Sequence, residues 1–243
     1  MGLTSSPRRK NASFKQSLLK IADIEIHITR KPIKNMRMSI SAADGKVKIS
    51  APLFIADKTI NEFVNAQLNW IKKHQVHYQA LPKPVELTYC QGEQHYFLGQ
   101  MFQLDIVELS QGFQKVQIDG QNLKLYIKEN SSLLQREKLL DDWYRSEIKK
   151  RIPELLFKWQ LIIGKKVLDW RIRKMKTRWG TCNINKKRIW LNLELIKKSP
   201  ECLEYVLVHE MVHLYERYHN QRFYSYMDQF LPNWKSLREQ LKK

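Results

Sequence analysis

The sequence predicts an α+β fold, with a strand-rich N-terminal half followed by a C-terminal half in which helices dominate. Three observations predict it. Runs of period-two hydrophobicity crowd the first half, two long stretches of helical period follow the middle, and the two patterns come in blocks. A regular strand–helix alternation, which would mark a parallel α/β sheet, is missing.

Residues 1–19 (MGLTSSPRRKNASFKQSLL) are polar and basic with little pattern and read as a flexible tail. Met1-Gly2-Leu3-Thr4-Ser5-Ser6 fits the short, degenerate acylation pattern, which carries no weight alone. Ile24 to Arg30 then alternates as a half-buried strand should. A second alternating run, Met36 to Ser41, leads to Asp44-Gly45, and Lys46 to Ser50 resumes the alternation. Asp-Gly between such runs marks a hairpin, and Pro52 closes it. Asp57 is a plausible N-cap for a helix to about Tyr78, whose apolar positions Ile60, Phe63, Val64, Leu68 and Ile71 share one face. Leu81-Pro82-Lys83-Pro84 breaks it.

From Val85 to Ile127 the pattern is short strands punctuated by Gly92, Gly99, Gly112 and Gly120. Asn130-Ser131-Ser132 opens a long amphipathic helix to about Gln160, with Pro153 expected to kink or divide it. Trp170 to Thr177 reads as a strand, 178–183 as a loop, and Arg188 to Leu193 as a further strand. Ser199-Pro200-Glu201 starts a helix with proline at its first position. A last helix spans Gln221 to Lys242, interrupted near Pro232. The organisation expected is a tail at 1–19, a β-rich region at 20–128 and a catalytic domain at 129–243.

Composition narrows the function classes. A chain of 243 residues with 43% hydrophobic content can bury a real core. No apolar run approaches the roughly 18 residues of a membrane span, and Met1 to Lys20 lacks the apolar core of a secretory signal. Three cysteines, Cys90, Cys182 and Cys202, form no CxxC and cannot all pair, which points to a cytoplasmic protein. The net charge is +19, and the segment 145–188 concentrates 15 Lys/Arg against three acids. Such an excess suits an anionic partner such as nucleic acid or nucleotide, or simply a solvated basic face.

The chemistry is concentrated in His209-Glu210-Met211-Val212-His213. Helix positions four apart lie about 40° apart on one face, so His209 and His213 can aim two imidazoles at one ion. Glu210 sits about 100° round from His209, suited to a water rather than to the metal. Nitrogen ligands favour Zn2+, although Mn, Co or Ni would also fit. Catalytic zinc usually keeps three protein ligands, and His219 is the candidate third. On an unbroken helix His219 would point too far round, so the chain must turn after His213, and without glycine, around Tyr218. Glu216 is the main rival, followed by Glu204 and Asp228. His74 and His77 sit on a Lys-rich helix end and read as solvated, and His27 and His95 have no ligand-like neighbours.

Several segments together resemble a known family. Arg178-Trp179-Gly180-Thr181-Cys182, Ile189 to Leu193, Val208 to Leu214 and His219-Asn220-Gln221-Arg222-Phe223 resemble the YgjP-like metallopeptidases, relatives of the SprT-like zincins. The early hairpin at Asp44-Gly45 and the Leu98-Gly99 stretch fit the same family. Thr181 replaces the usual Ser, and Tyr218-His219-Asn220 replaces Asn-His-Ser. The resemblance implies a zincin-like catalytic domain, with a metal-binding helix beside a small sheet and a hairpin–helix region before it. It implies zinc held by His209, His213 and His219, with Glu210 as acid/base.

Arg178 is placed near the metal, where it would stabilise an oxyanion or grip a phosphate; otherwise it is a surface partner of an acid. Trp179 would line a side-chain pocket or stack on a base, or else belong to the core. Lys174 and Lys176 would hold a phosphate chain. The leading expectation is a zinc-dependent peptidase acting on peptide or protein. The alternatives are a metal-dependent pyrophosphatase on a nucleoside triphosphate such as UTP, an activity also attached to the family, and a non-enzymatic zinc-stabilised nucleic-acid-binding module. No membrane partner is expected.

Overall fold

The computed structural model describes residues 16–41, 44–80 and 87–242. The tail reading of 1–15 and the breaker at 81–84 lie outside the described residues. The chain divides into two compact units, Met1–Glu86 and Leu87–Lys243.

The first unit is a four-stranded sheet with two helices. Its strands are β1 (Gln16–Ile21), β2 (Ile24–Lys31), β3 (Arg37–Ile40) and β4 (Val47–Pro52), in the order β1-β2-β4-β3. The Asp44-Gly45 hairpin forms as expected, with β3 antiparallel to β4 and Gly45 at φ 66°. Residues 16–19 are part of β1 rather than of a tail. The β1–β2 turn is made by Ala22 and Asp23, both with positive φ (43° and 62°). That backbone usually advertises itself through Gly or Asn, so this hairpin left no signal in the sequence. The single helix expected at 57–78 is divided at Gln67 into α1 (Asp57–Ala66) and α2 (Leu68–Ala80). Ala56, not Asp57, is the N-cap; Asp57 opens the helix and pairs with Arg30 of β2. The core is the predicted apolar face (Ile60, Val64, Ile71) packed on Ile26, Val47 and Ile49.

The second unit begins with strands β5 (Gln94–Phe97), β6 (Gln100–Leu109), β7 (Lys115–Asp119) and β8 (Asn122–Lys128), ordered β5-β6-β8-β7. A boundary at 128/129 would cut these strands from the helix that covers them. Leu104, Leu123, Leu125 and Ile127 share one core with Leu140, Tyr144 and Ile148, and the Tyr144 hydroxyl donates to the Tyr96 carbonyl at 2.9 Å. That helix, α3 (Leu133–Ile163), starts with a capping box. Gln135 N donates to Ser132 Oγ, and Ser132 N donates to Gln135 Oε1. Its buried stripe of Leu140, Tyr144, Ile148, Ile152, Leu156, Trp159 and Ile163 runs past Pro153, which does not end the helix. Burial along so long a stripe outweighs the one backbone bond that proline removes.

A small sheet follows, with β9 (Asp169–Arg173), β10 (Gly180–Asn183) and β11 (Arg188–Asn192) in the order β10-β11-β9. Here the expectation needs two corrections. The first strand stops at Arg173 rather than Thr177, and 180–183, read as a loop, is an edge strand antiparallel to β11. A four-residue strand containing Gly180 and Asn183 carries too little periodicity to be read. A 3-10 turn at Leu193–Lys197 leads to α4 (Pro200–Val212), then α5 (Gln221–Phe230) and α6 (Trp234–Gln240), which are separated near Pro232 as expected. Among the described residues no helix is long and apolar enough to cross a membrane.

The β5–β6 turn fixes the entrance to α4. Leu98 N and Gly99 N donate to the carbonyls of Ile196 and Lys197 at 2.8 and 3.3 Å. Gly99 has φ 80°, and a Cβ there would lie 3.2 Å from Ser199 Cα. Gly99→Ala therefore meets both backbone strain and a collision with main chain. We expect a loss of about 1–2 kcal/mol in urea unfolding of the protein; an unchanged midpoint would show that the turn does not anchor α4.

Candidate active site

Helix α4 is buried on nearly every side. Cys202, Leu203, the run Tyr205–Val208 and Glu210–Val212 are all buried, and His209 is partly so. Such a helix presents polar side chains only along the seam that faces a cavity. His209 and His213 share that seam, with ring centroids 5.1 Å apart.

The helix ends at Val212, and the chain turns without glycine. Leu214 N donates to Met211 O and Tyr215 N to Val212 O, tightening the last turn to i→i+3 spacing. Tyr218 N donates to Glu216 Oε1 at 3.2 Å. Among the described residues none from 213 to 220 has positive φ, so side-chain capping does the work expected of glycine. Asn220 then caps α5 by accepting from Phe223 N at 3.0 Å. His219 arrives with its Nε2 2.9 Å from that of His209. The three imidazole centroids stand 4.9, 4.8 and 4.7 Å from the Phe223 ring (His209, His213 and His219 in turn), so this buried ring is their common floor.

The set fits a divalent metal. One ligand atom from each of His209, His213 and His219 lies within 4.8 Å of the others. Two imidazole nitrogens on a tetrahedral zinc at about 2.0–2.1 Å stand roughly 3.3 Å apart, a few tenths wider than His209 and His219 now are. A carbonyl only accepts, so the 3.0 Å contact of His213 Nδ1 with Glu216 O makes Nδ1 the donor and leaves Nε2 a free lone pair. Burial, with the neighbouring histidines and Arg238, pushes His209 down to about 3. Burial also lowers His213 and His219. All three are therefore neutral at pH 7, as ligation requires. The rival ligands are engaged elsewhere. Glu216 closes the turn, Glu204 accepts from Lys158 and Trp159 Nε1, and Asp228 accepts from Trp234 Nε1. Of the remaining histidines, buried His95 bonds Glu93 at 2.6 Å.

Glu210 is buried beside the imidazoles. Burial pushes its carboxyl up to about 8, opposed by the Arg178 guanidinium. It lies against the backbone of the edge strand: a Cβ on Gly180 would stand 2.6 Å from Glu210 Oε1 and 2.7 Å from its Cγ. Gly180 has no positive φ, so its glycine serves this approach alone. Neighbouring Cys182 is pushed up to about 12 by burial and by Glu210, so its thiol stays protonated and is no nucleophile.

The cavity holding these groups has a volume of about 1150 Å3. Arg178 and Trp179 line it, and Tyr205, Arg217 and Arg238 join them without any sequence signal. Lys174 and Lys176 do not line it. Lys174 bonds Glu137 at 2.8 Å and Asp141 at 3.0 Å on α3, since β9 ends before it and turns it away. Lys176 lines the adjoining cavity. Arg178 and Trp179 are positioned by buried Asn192. Its Nδ2 donates to the carbonyls of Met175 and Arg178, its Oδ1 accepts from the amides of Met175 and Glu194, and its own N–H donates to Trp179 O.

A family model described as "YgjP-like, metallopeptidase domain" matches residues 34–243. No curated protein matches the chain. Among solved structures, the metallopeptidase zymogen of Pyrococcus abyssi abylysin is similar at 23% identity and a TM-score of 0.35, covering 37% of this chain and 90% of that one.

Two outcomes follow from the burial of Glu210. Gly180→Ala should displace the carboxylate and reduce hydrolysis at least about tenfold while leaving bound metal in place, read by turnover and metal analysis of one preparation. In metal-free protein the Glu210 carboxyl titrates near 8 instead of 4.5. Its contribution to stability is full below about pH 4.5 and is lost as pH rises through 8. Glu210→Gln should therefore stabilise metal-free protein more at pH 8.5 than at pH 5, by a margin that urea melts resolve; equal effects at both pH values would refute the burial.

Proposed function

We propose that this chain, which belongs to the YgjP-like metallopeptidase family, is a zinc peptidase in which Glu210 moves the proton and the substrate lies along strand β10. One observation carries the reading: three neutral imidazoles converge on one point beside a buried carboxylate, at the edge of a sheet with a free side. The catalytic unit is Leu87–Lys243, and the arrangement of α4 beside β9–β11 is the zincin-like part of it.

His209, His213 and His219 would hold the ion, which supplies Lewis acidity to a carbonyl and acidifies water at neutral pH. The chain's own residues do the rest. Glu210 accepts the proton of the attacking water and returns it to the departing amine, the burial around it keeping bulk water from competing. Arg178 holds the Glu210 carboxyl towards its charged form, against the pull of burial. As an edge strand, β10 offers backbone groups with which an extended peptide can pair, which aligns the scissile bond without reading its side chains. Trp179 closes one end of the groove. The three unpaired cysteines suit a reducing compartment such as the cytoplasm.

The nucleotide reading loses one of its three expected phosphate contacts, and part of the basic excess behind the nucleic-acid reading is taken up by internal pairs. Lys174 is held by two carboxylates, and within the basic segment Lys150, Arg151, Lys158, Arg171 and Arg188 are also in ion pairs.

Glu210→Gln should retain stoichiometric zinc and lose hydrolysis of an unfolded protein by about a thousandfold. Hydrolysis retained in that variant would sink the assignment. His219→Ala should lose zinc under dialysis that leaves the parent loaded. Release of pyrophosphate from nucleoside triphosphates by the loaded protein, with no cleavage of protein, would replace peptidase by the nucleotide reading.

A further inference from the structure

The loop of Arg178 and Trp179 has two faces. One lines the imidazole cavity; the other lines a second cavity of about 900 Å3. The two share Thr177, Arg178 and Trp179 as a common wall, so a chain lying along β10 and continuing past Gly180 enters the second cavity.

Its lining is unevenly charged. Lys176, Arg178, Lys197 and Lys198 face it, against the one carboxylate of Glu194. Lys197 Nζ bonds Glu194 at 2.8 Å, and that pair cancels. Lys176, Arg178 and Lys198 have no ion-pair partner among the described residues, although seven other basic residues between 145 and 198 are paired. Lys198 Nζ stands 5.9 Å from the centroid of Trp179, and the indole supports the ammonium from one side. The first turn of α4 at Ser199 and Cys202 forms another part of the wall, adding the positive end of a 13-residue helix. Tyr96, Met175 and Trp179 provide apolar contact between the charges.

Unpaired cations around a concavity that continues a hydrolytic groove select an anionic group on the same substrate. We infer that the second cavity is a substrate subsite for acidic side chains, and that this protein prefers to cut peptides carrying Asp or Glu within a few residues of the scissile bond, on one side only. Substrate class deepens the peptidase reading and rests on it.

The test separates the two. Binding is measured by calorimetry with zinc-loaded Glu210→Gln protein, which cannot turn over, using an unstructured peptide with a run of glutamates, its glutamine counterpart, and an oligonucleotide of equal charge. The glutamate peptide should bind at least about tenfold tighter than the glutamine peptide, and Lys176→Gln/Lys198→Gln should erase the difference. The reversal Lys176→Glu/Lys198→Glu should favour a lysine peptide instead, an effect that mere damage to the fold would not produce. In active protein, mass spectrometry of the products of an unfolded substrate should show acidic residues enriched on one side of the cuts, and the lysine variants should remove the enrichment. Equal binding of glutamate and glutamine peptides, or a preference that survives both lysine variants, would overturn the subsite. So would tighter binding of the oligonucleotide through the same lysines, which would make the cavity a general polyanion site. Acidic-peptide binding that needs the lysines, with no cleavage of any peptide, would uphold the subsite and refute the peptidase reading alone.

Discussion

Everything at the site depends on how closely the Glu210 carboxylate approaches the backbone of Gly180. A buried carboxylate is costly unless something offsets the lost hydration, and no hydrogen bond contributes to its titration. It is held by geometry: α4 cannot rotate because its other faces are core, and β10 cannot withdraw because β11 pairs with it from Gly180 to Asn183. Between helix and strand there is room for a carboxylate and no room for a methyl group. The burial that raises the Glu210 value also neutralises the histidines, so one seam keeps three imidazoles uncharged and holds the carboxyl protonated at neutral pH, a balance that a bound cation would shift towards the carboxylate.

Sequence showed the metal helix well because two independent patterns coincide there. A start signal at Ser199-Pro200 precedes a hydrophobic stretch, and within it His209 and His213 recur at helical spacing. The place of His219 was legible for a different reason: no straight helix could bring it round to His209 and His213, so the expectation that it joins them implied the turn that the structure has. What stayed hidden was packing between segments distant in sequence. Arg238 and Tyr205 enter the cavity because α6 and α4 cross near it, and neither position has a local pattern. Lys174 and Lys176 were read together from strand alternation, but β9 ends at Arg173, and the two side chains part company beyond it. In the first half the Ala22–Asp23 turn was silent because its backbone is unusual and its residues are not. The division of the chain was misjudged by the length of four strands, since Leu104 and Leu123 look alike whichever helix covers them.

The floor of the site has a logic of its own. Phe223 touches all three imidazoles at nearly equal distance, and its backbone amide is fixed by Asn220, the residue after the third histidine. Imidazole rings on an aromatic floor keep their nitrogens aimed at a point above it, and they cannot tilt without losing contact area. The same short segment thus supplies the third imidazole, a helix cap and the support for the other two imidazoles.

Asn192 gathers the active-site loop onto one buried side chain. Four hydrogen bonds from one buried amide group hold Met175, Arg178 and Glu194, and the Asn192 backbone holds Trp179. These bonds tie Met175, Arg178 and Trp179 to one another through a single residue. Arg178 bears on the Glu210 carboxyl, while the other side of the same loop lines the neighbouring cavity. On the reading proposed above, selectivity and rate are mechanically coupled, and a lineage that altered its diet of substrates through this loop would find its turnover changed in the same step.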